Sequence, residues 1–198
     1  MKWVVLVIIV CLAGYTFVTL RYRKIAPPHE PYSDAKERFT ATRVREAGYA
    51  RIPVNVERPA DLPYTEGGIP RPLAEVSEIP GGLPRELLEN FAEAPKLPQA
   101  IGRVVAPATL RALFPYPIVY NCELPDHQDV LGDTRVYTKE QDIIIVTDFD
   151  RIDSDLLART RDTTVSVSLP AHLFESGKTY TITLTGEKTS RQWQLQVH

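Results

Sequence analysis

Residues 3–20, WVVLVIIVCLAGYTFVTL, form an unbroken uncharged run that ends at Arg21-Tyr22-Arg23-Lys24. At about 1.5 Å of rise per residue such a run covers roughly 27 Å as a helix, close to the ~30 Å of hydrocarbon that one transmembrane helix crosses. A cleaved secretory signal is the rival reading, with Lys2 as its charged start and Ala13 at the cleavage position. The apolar run, however, continues past that position through Tyr15, Phe17, Val18 and Leu20 to a basic stop, which a signal does not need. Trp3 and Tyr22 mark the two ends, where amphipathic rings favour the headgroup level. The segment therefore predicts a single-pass anchor over residues 1–24, with the lipid bilayer as its first partner.

The rest of the 198 residues suffices for one compact domain and a tether. A net charge of −2 supplies no basic face of the kind nucleic acid requires, so that partner is excluded. Cys11 lies in the apolar run and Cys122 far downstream, which leaves no intrachain disulfide.

The prolines mark an internal boundary. Of 17, twelve fall between Pro27 and Pro98 and five in the last hundred residues. Residues 33–47 are compatible with a helix, with Ser33 as N-cap and Asp34 and Glu37 in its first turn. From Ile52 to Pro80 proline recurs too often for a helix or a central strand, which predicts an extended strap. Its Ile52, Val54, Val56, Leu62, Tyr64, Ile69, Leu73, Val76 and Ile79 are too apolar for a free tether and demand a surface, on a neighbour or on the chain's own domain. A short helix follows over residues 84–94, opened by Pro84 and carrying Leu87, Leu88 and Phe91 as an apolar stripe. Residues 25–98 are thus a proline-rich strap with short helices.

Residues 99–198 alternate with a period of two. Ile118, Tyr120, Cys122 and Leu124 share one face, as do Val165, Val167 and Leu169, then Tyr180, Ile182 and Leu184, and finally Trp193, Leu195 and Val197. The run Ile143-Ile144-Ile145-Val146 instead predicts a strand covered on both faces. Short strands separated by turn residues indicate a mainly β fold, with an antiparallel sandwich at the C-terminus. The stretch TTVSVSLPAHLFESGKTYTITLTG, residues 163–186, resembles the penultimate strand, corner and following strand of bacterial immunoglobulin-like and fibronectin type III-like domains. In those families a leucine and a glycine precede the tyrosine that opens the next strand, and Leu173, Gly177 and Tyr180 match them. Residues 142–157 are similar to the strand and acidic turn that open many such modules. The resemblance covers about fifty residues. It implies a tyrosine corner, and an adhesive, spacer or docking role outside the cytoplasm with no catalytic residues.

Two constellations remain. Asp148-Phe149-Asp150 after a buried strand is similar to the nucleophile and acid of haloacid dehalogenase-like phosphohydrolases, but that fold needs a parallel sheet with helical crossovers, and antiparallel-strand patterns follow here. Asp148, Asp150, Asp153 and Asp155 are candidate metal ligands, since clustered carboxylates suit calcium. They lack the glycine and distal glutamate of a helix-loop-helix calcium site, and Arg151 interrupts them. A turn in which Asp153 or Ser154 caps a short helix is the competing reading. The four histidines lack metal-pair spacing.

The expectation is a non-enzymatic, single-pass accessory or structural subunit without cofactor. Its sandwich and strap would dock on other integral membrane subunits of a complex. A membrane-tethered ligand-binding or enzymatic domain centred on Asp148 to Asp155 is the alternative. The Lys/Arg excess after the anchor points the sandwich to the cytoplasm, whereas the immunoglobulin-like resemblance points it to the periplasmic or extracytoplasmic side; the latter is preferred.

Overall fold

The computed structural model describes residues 2–3, 11–12, 14–17, 21, 31–58, 72–151 and 160–198. The chain divides into two units, Met1–Ala35 and Lys36–His198. In the first, the described residues of the expected anchor are helical, and Trp3, Leu12, Tyr15 and Phe17 are exposed. Among the described residues no helix is long and apolar enough to cross a membrane. Residues 4–10, 13 and 18–20 of the expected span lie outside them.

The second unit is mainly β, as the period-two patterns require. Among the described residues eleven strands form one sheet folded over a common core. They are β1 (Ala50–Ile52), β2 (Asn55–Glu57), β3 (Ser77–Pro80), β4 (Ala100–Val105), β5 (Thr109–Leu110), β6 (Tyr116–Glu123), β7 (Asp129–Lys139), β8 (Asp142–Arg151), β9 (Asp162–Leu169), β10 (Thr179–Thr185) and β11 (Thr189–Val197). One half runs β1-β7-β8-β10-β11 and the other β4-β6-β9-β2. Side chains from both halves fill the space between them: Ile143, Ile145, Ile182, Leu184 and Leu195 from the first, Ile118, Tyr120, Val165 and Val167 from the second, all at most 1% exposed.

The sheet is not wholly antiparallel, which corrects the expected fold. β8 and β10 pair in parallel, Ile143 beside Ile182 and Ile145 beside Leu184, and β11 runs parallel to β4 and β5 where they meet. Between β8 and β10 the chain crosses to the opposite layer as β9 and returns as β10, which leaves β8 and β10 pointing the same way. A period of two reports which side chains share a face and carries no information on strand direction.

The strap belongs to the sheet. β1 extends the β7 edge, β2 extends the β9 edge and β3 pairs with β11. The five residues from Ile52 to Val56 therefore cross from one layer to the other along the open side, and Ile52, Val54 and Val56 pack against the core. Val76 packs there too, so these four strap residues find the surface they required on their own domain. Leu62, Tyr64 and Ile69 lie outside the described residues.

A second cluster covers the outer face of β7 and β8. Tyr137, Ile144 and Val146 are buried there by Val44, Tyr49 and Leu87, as the run 143–146 requires. Val44 lies near the end of helix α1 (Pro31–Glu46). That helix ends in a Schellman turn: Tyr49 N–H donates to Val44 O at 3.0 Å, Gly48 N–H donates to Arg45 O at 3.0 Å, and Gly48 takes φ 86°. The expected helix over 84–94 is a single turn, α2 (Arg85–Leu88). Asn90 Nδ2 donates to Glu86 O at 2.8 Å, occupying a carbonyl that a continuing helix would use. Leu87 is fully buried and Phe91 meets Tyr137 edge to face at 5.7 Å, while Leu88 points outward.

The corner after β9 has the expected geometry. A short 3-10 turn over Ala171–Leu173 leads to Phe174, and the Tyr180 hydroxyl accepts from the Glu175 N–H at 2.9 Å. Its ring packs edge to face on Phe174 at 5.3 Å and is nearly buried. Tyr180→Phe leaves that N–H unpaired and should cost about 1 kcal/mol, whereas Tyr180→Ala adds a cavity and should cost about 3–5 kcal/mol. Denaturant unfolding of the three chains checks the order; equal midpoints would mean that the corner does not hold the fold.

Candidate functional site

The acidic candidates separate when placed on the structure. Asp153 and Asp155 lie outside the described residues. Asp148 and Asp150 sit two apart at the end of β8, so both project to the face opposite the inward-facing Thr147. Asp150 is exposed at the sheet margin. Asp148 is largely covered, and its surroundings follow from an irregularity in β7. There the register shifts so that Gly132 and Asp133 together oppose Asp148, between the pairs Leu131–Phe149 and Thr134–Thr147. A Cβ at position 132 would press on the Asp148 carboxylate and force it to shift.

The bulge turns Arg135 onto Asp148. Arg135 Nη2 lies 2.6 Å from Asp148 Oδ2, with the side chains 21% and 17% exposed. Arg135 Nε and Asp148 Oδ1 are buried without a hydrogen-bond partner, so the pair is only half satisfied. Burial drives the Asp148 carboxyl above its ordinary value; the Arg135 guanidinium opposes this, and the nearby Asp133 and Asp150 carboxylates add to the rise. The position beside Asp148 where a cation would bind is taken by a guanidinium. Among the described residues no three acidic, histidine or cysteine side chains gather closely enough to hold a metal.

Three further buried groups, Tyr116, Tyr120 and Cys122, are held neutral by burial. Tyr116 and Tyr120 are shifted upward by burial, and the Cys122 thiol is pushed up to about 12 for the same reason. Trp193 Nε1 donates to the Tyr116 hydroxyl at 3.0 Å, which in turn donates to Pro107 O at 2.6 Å. The Tyr120 hydroxyl shares a 2.7 Å hydrogen bond with Thr147 Oγ1. These tie the two layers together. A thiol this far from thiolate is a poor nucleophile.

What the sequence patterns passed over is the turn between β5 and β6. Phe114 N–H donates to Arg111 O at 3.3 Å, closing a four-residue turn whose third position is Leu113. Leu113 takes φ 79°, the left-handed value that a type II turn requires there and that glycine ordinarily supplies. Its side chain is 89% exposed and that of Phe114 59%. Two large apolar side chains thus project from one tip, the first on a backbone that costs roughly 1–2 kcal/mol for an L-residue. The signal was present as Arg111-Ala112-Leu113-Phe114-Pro115, an apolar run too short for a strand and closed by proline.

Comparison of the chain with known protein families, with curated proteins and with solved structures gave no match in any of the three.

The Arg135–Asp148 pair makes a direct prediction. Arg135→Met strands a covered carboxylate and should cost about 3 kcal/mol, while Arg135→Met with Asp148→Leu should recover most of that loss. The pH dependence has a defined sign. Because the folded pKa of Asp148 is raised, its contribution to stability is complete below the unfolded carboxylate value and is lost as pH rises through the folded one. Arg135→Met should steepen that loss across the acidic range, as followed by urea midpoints at several pH values. A double variant no more stable than the single one would refute this account of the pair.

Proposed function

We propose that this chain is a non-enzymatic accessory subunit, anchored by residues 3–20, whose β domain docks through the Leu113–Phe114 tip on an integral membrane protein beside it. The observation that carries this reading is the tip itself. A strained backbone that displays two large apolar side chains to solvent costs stability and contributes nothing to the domain's own core, so its use lies in a contact outside the domain. The extended part of the strap is not that contact, because Ile52, Val54, Val56 and Val76 are spent on the domain's own core. The neutral, hydrogen-bonded state of the buried tyrosines and the inert Cys122 fit a scaffold role better than acid–base or nucleophilic chemistry. A membrane partner follows from the uncharged run over residues 3–20, which would hold the domain within tether length of a bilayer.

The tip gives a test in which stability and function move in opposite directions. Leu113→Gly relieves the left-handed strain without removing packing and should raise stability by about 1 kcal/mol. The wild-type chain should co-purify with stoichiometric integral membrane subunits after gentle solubilisation, and Leu113→Gly with Phe114→Ser should nonetheless lose them. Retention of those subunits by the double variant would sink the docking reading, and retention of bare lipid alone by the wild type would make the bilayer the surface contacted.

The domain is assigned to the extracytoplasmic side, on the strength of the immunoglobulin-like resemblance. A cysteine at exposed Ser176 should react with a membrane-impermeant maleimide in intact spheroplasts, and the labelled chain should stay with the membrane after an alkaline wash. Labelling only after lysis would reverse the side, and release by the wash would remove the anchor.

A further inference from the structure

Where the strap crosses from one layer to the other it leaves an open cleft of about 630 Å³, within the ~300–1,000 Å³ usual for small-molecule sites. Three arginines from three separate elements line it: Arg51 on β1, Arg58 just after β2, and Arg135 on β7. One wall is apolar, built by Ile52, Val54 and Val56, whose inner surfaces pack on the core. Arg58 donates to the Gly132 carbonyl, which orients its guanidinium without neutralising it. Arg135 shares its charge with Asp148 but keeps a buried Nε donor that meets no acceptor. Asp133 also lines the cleft, Asp148 is paired with Arg135, and Asp150 lies near Asp148, so the positive side of the cleft is Arg51 and Arg58.

We propose that this cleft binds a small organic anion, with a carboxylate or phosphate gripped by Arg51 and Arg58 and an apolar body against the strap wall. Guanidinium is the cation suited to this task, because its planar fork meets two oxygens of either group at once. The apolar wall narrows the class of ligand further. A bare inorganic anion would leave it uncovered, whereas an anion carrying a ring or short chain would bury it. The proposal is independent of the docking tip, which involves none of these residues.

Benzoate and phenyl phosphate carry the two head groups on one apolar body, while inorganic phosphate and phenol carry the head or the body alone. Titrated into the full chain in a non-ionic detergent and followed by calorimetry, both aromatic anions should saturate, and inorganic phosphate and phenol should bind more weakly by tenfold or more. Tighter binding of one aromatic anion identifies the head group. Arg51→Gln and Arg58→Gln should each lower affinity about tenfold, the scale of one charge-assisted hydrogen bond, while Arg85→Gln, on the exposed turn of α2, should not change it. Added salt should weaken the binding. Unfolding midpoints without ligand show that each variant is folded; should Arg58→Gln fail, exposed Arg51 carries the test. No saturation by either aromatic anion, equal binding of phenol, or affinities unchanged in both arginine variants would each overturn the proposal.

Discussion

Strand β8 is apolar on both faces, and the rest of the domain is arranged to keep water from it. Ile143 and Ile145 point inward and need a second layer, which β6 and β9 supply. Ile144 and Val146 point outward and would be exposed in a plain two-layer sandwich. They are covered instead by the end of α1, the turn of α2 and the segment around Phe91. Burying one such side chain stabilises by about 1.5–3 kcal/mol, so four on adjacent positions outweigh any hydrogen bond or ion pair nearby. Part of the proline-rich segment is thus an integral cover of the domain.

The charges on that cover do less. Lys139 Nζ lies 2.9 Å from Glu86 and 5.0 Å over the Tyr49 ring, and the Tyr49 hydroxyl reaches Glu86 at 3.3 Å. The bond from Lys139 lowers the Glu86 carboxyl and raises the lysine in turn. Glu86 is open to solvent, however, and water and salt screen such a pair. It fixes how α2 sits against the β7–β8 turn; apolar burial holds it there.

Much of this was legible in the residues. The alternation in β6, β9, β10 and β11 placed the core side chains correctly, because a half-buried strand has a period that side-chain chemistry records. The run 143–146 announced a doubly covered strand, and Leu173, Gly177 and Tyr180 announced the corner. Strand direction was not legible, since β8 and β10 are related by a crossover and not by a turn. Nor was the destination of the strap: Ile52, Val54 and Val56 show only that a surface is required, and pairing with β7 and β9 is a long-range event. The acidic cluster looked like a ligand set because sequence shows neighbours along the chain. Arg135, the residue that meets Asp148, lies across the hairpin, and the bulge at Gly132 that turns it there has no signature beyond a single glycine.

Arg135 links the two ideas about binding in this domain. Read along β8, the carboxylates suggest a cation; read across to β7 and the strap, the same neighbourhood presents arginines. The guanidinium decides between them, because it pairs with Asp148 and also lines the cleft beside the strap. A hard cation would have to displace a charge already paired at 2.6 Å and face Arg135 at close range, a repulsion no remaining ligand offsets. An anion meets the opposite field. The strap then has two consequences from one crossing: its inner side completes the core, and its outer side, with Arg51 and Arg58 at the two ends, turns an ordinary sandwich edge into a place where negative charge is favoured.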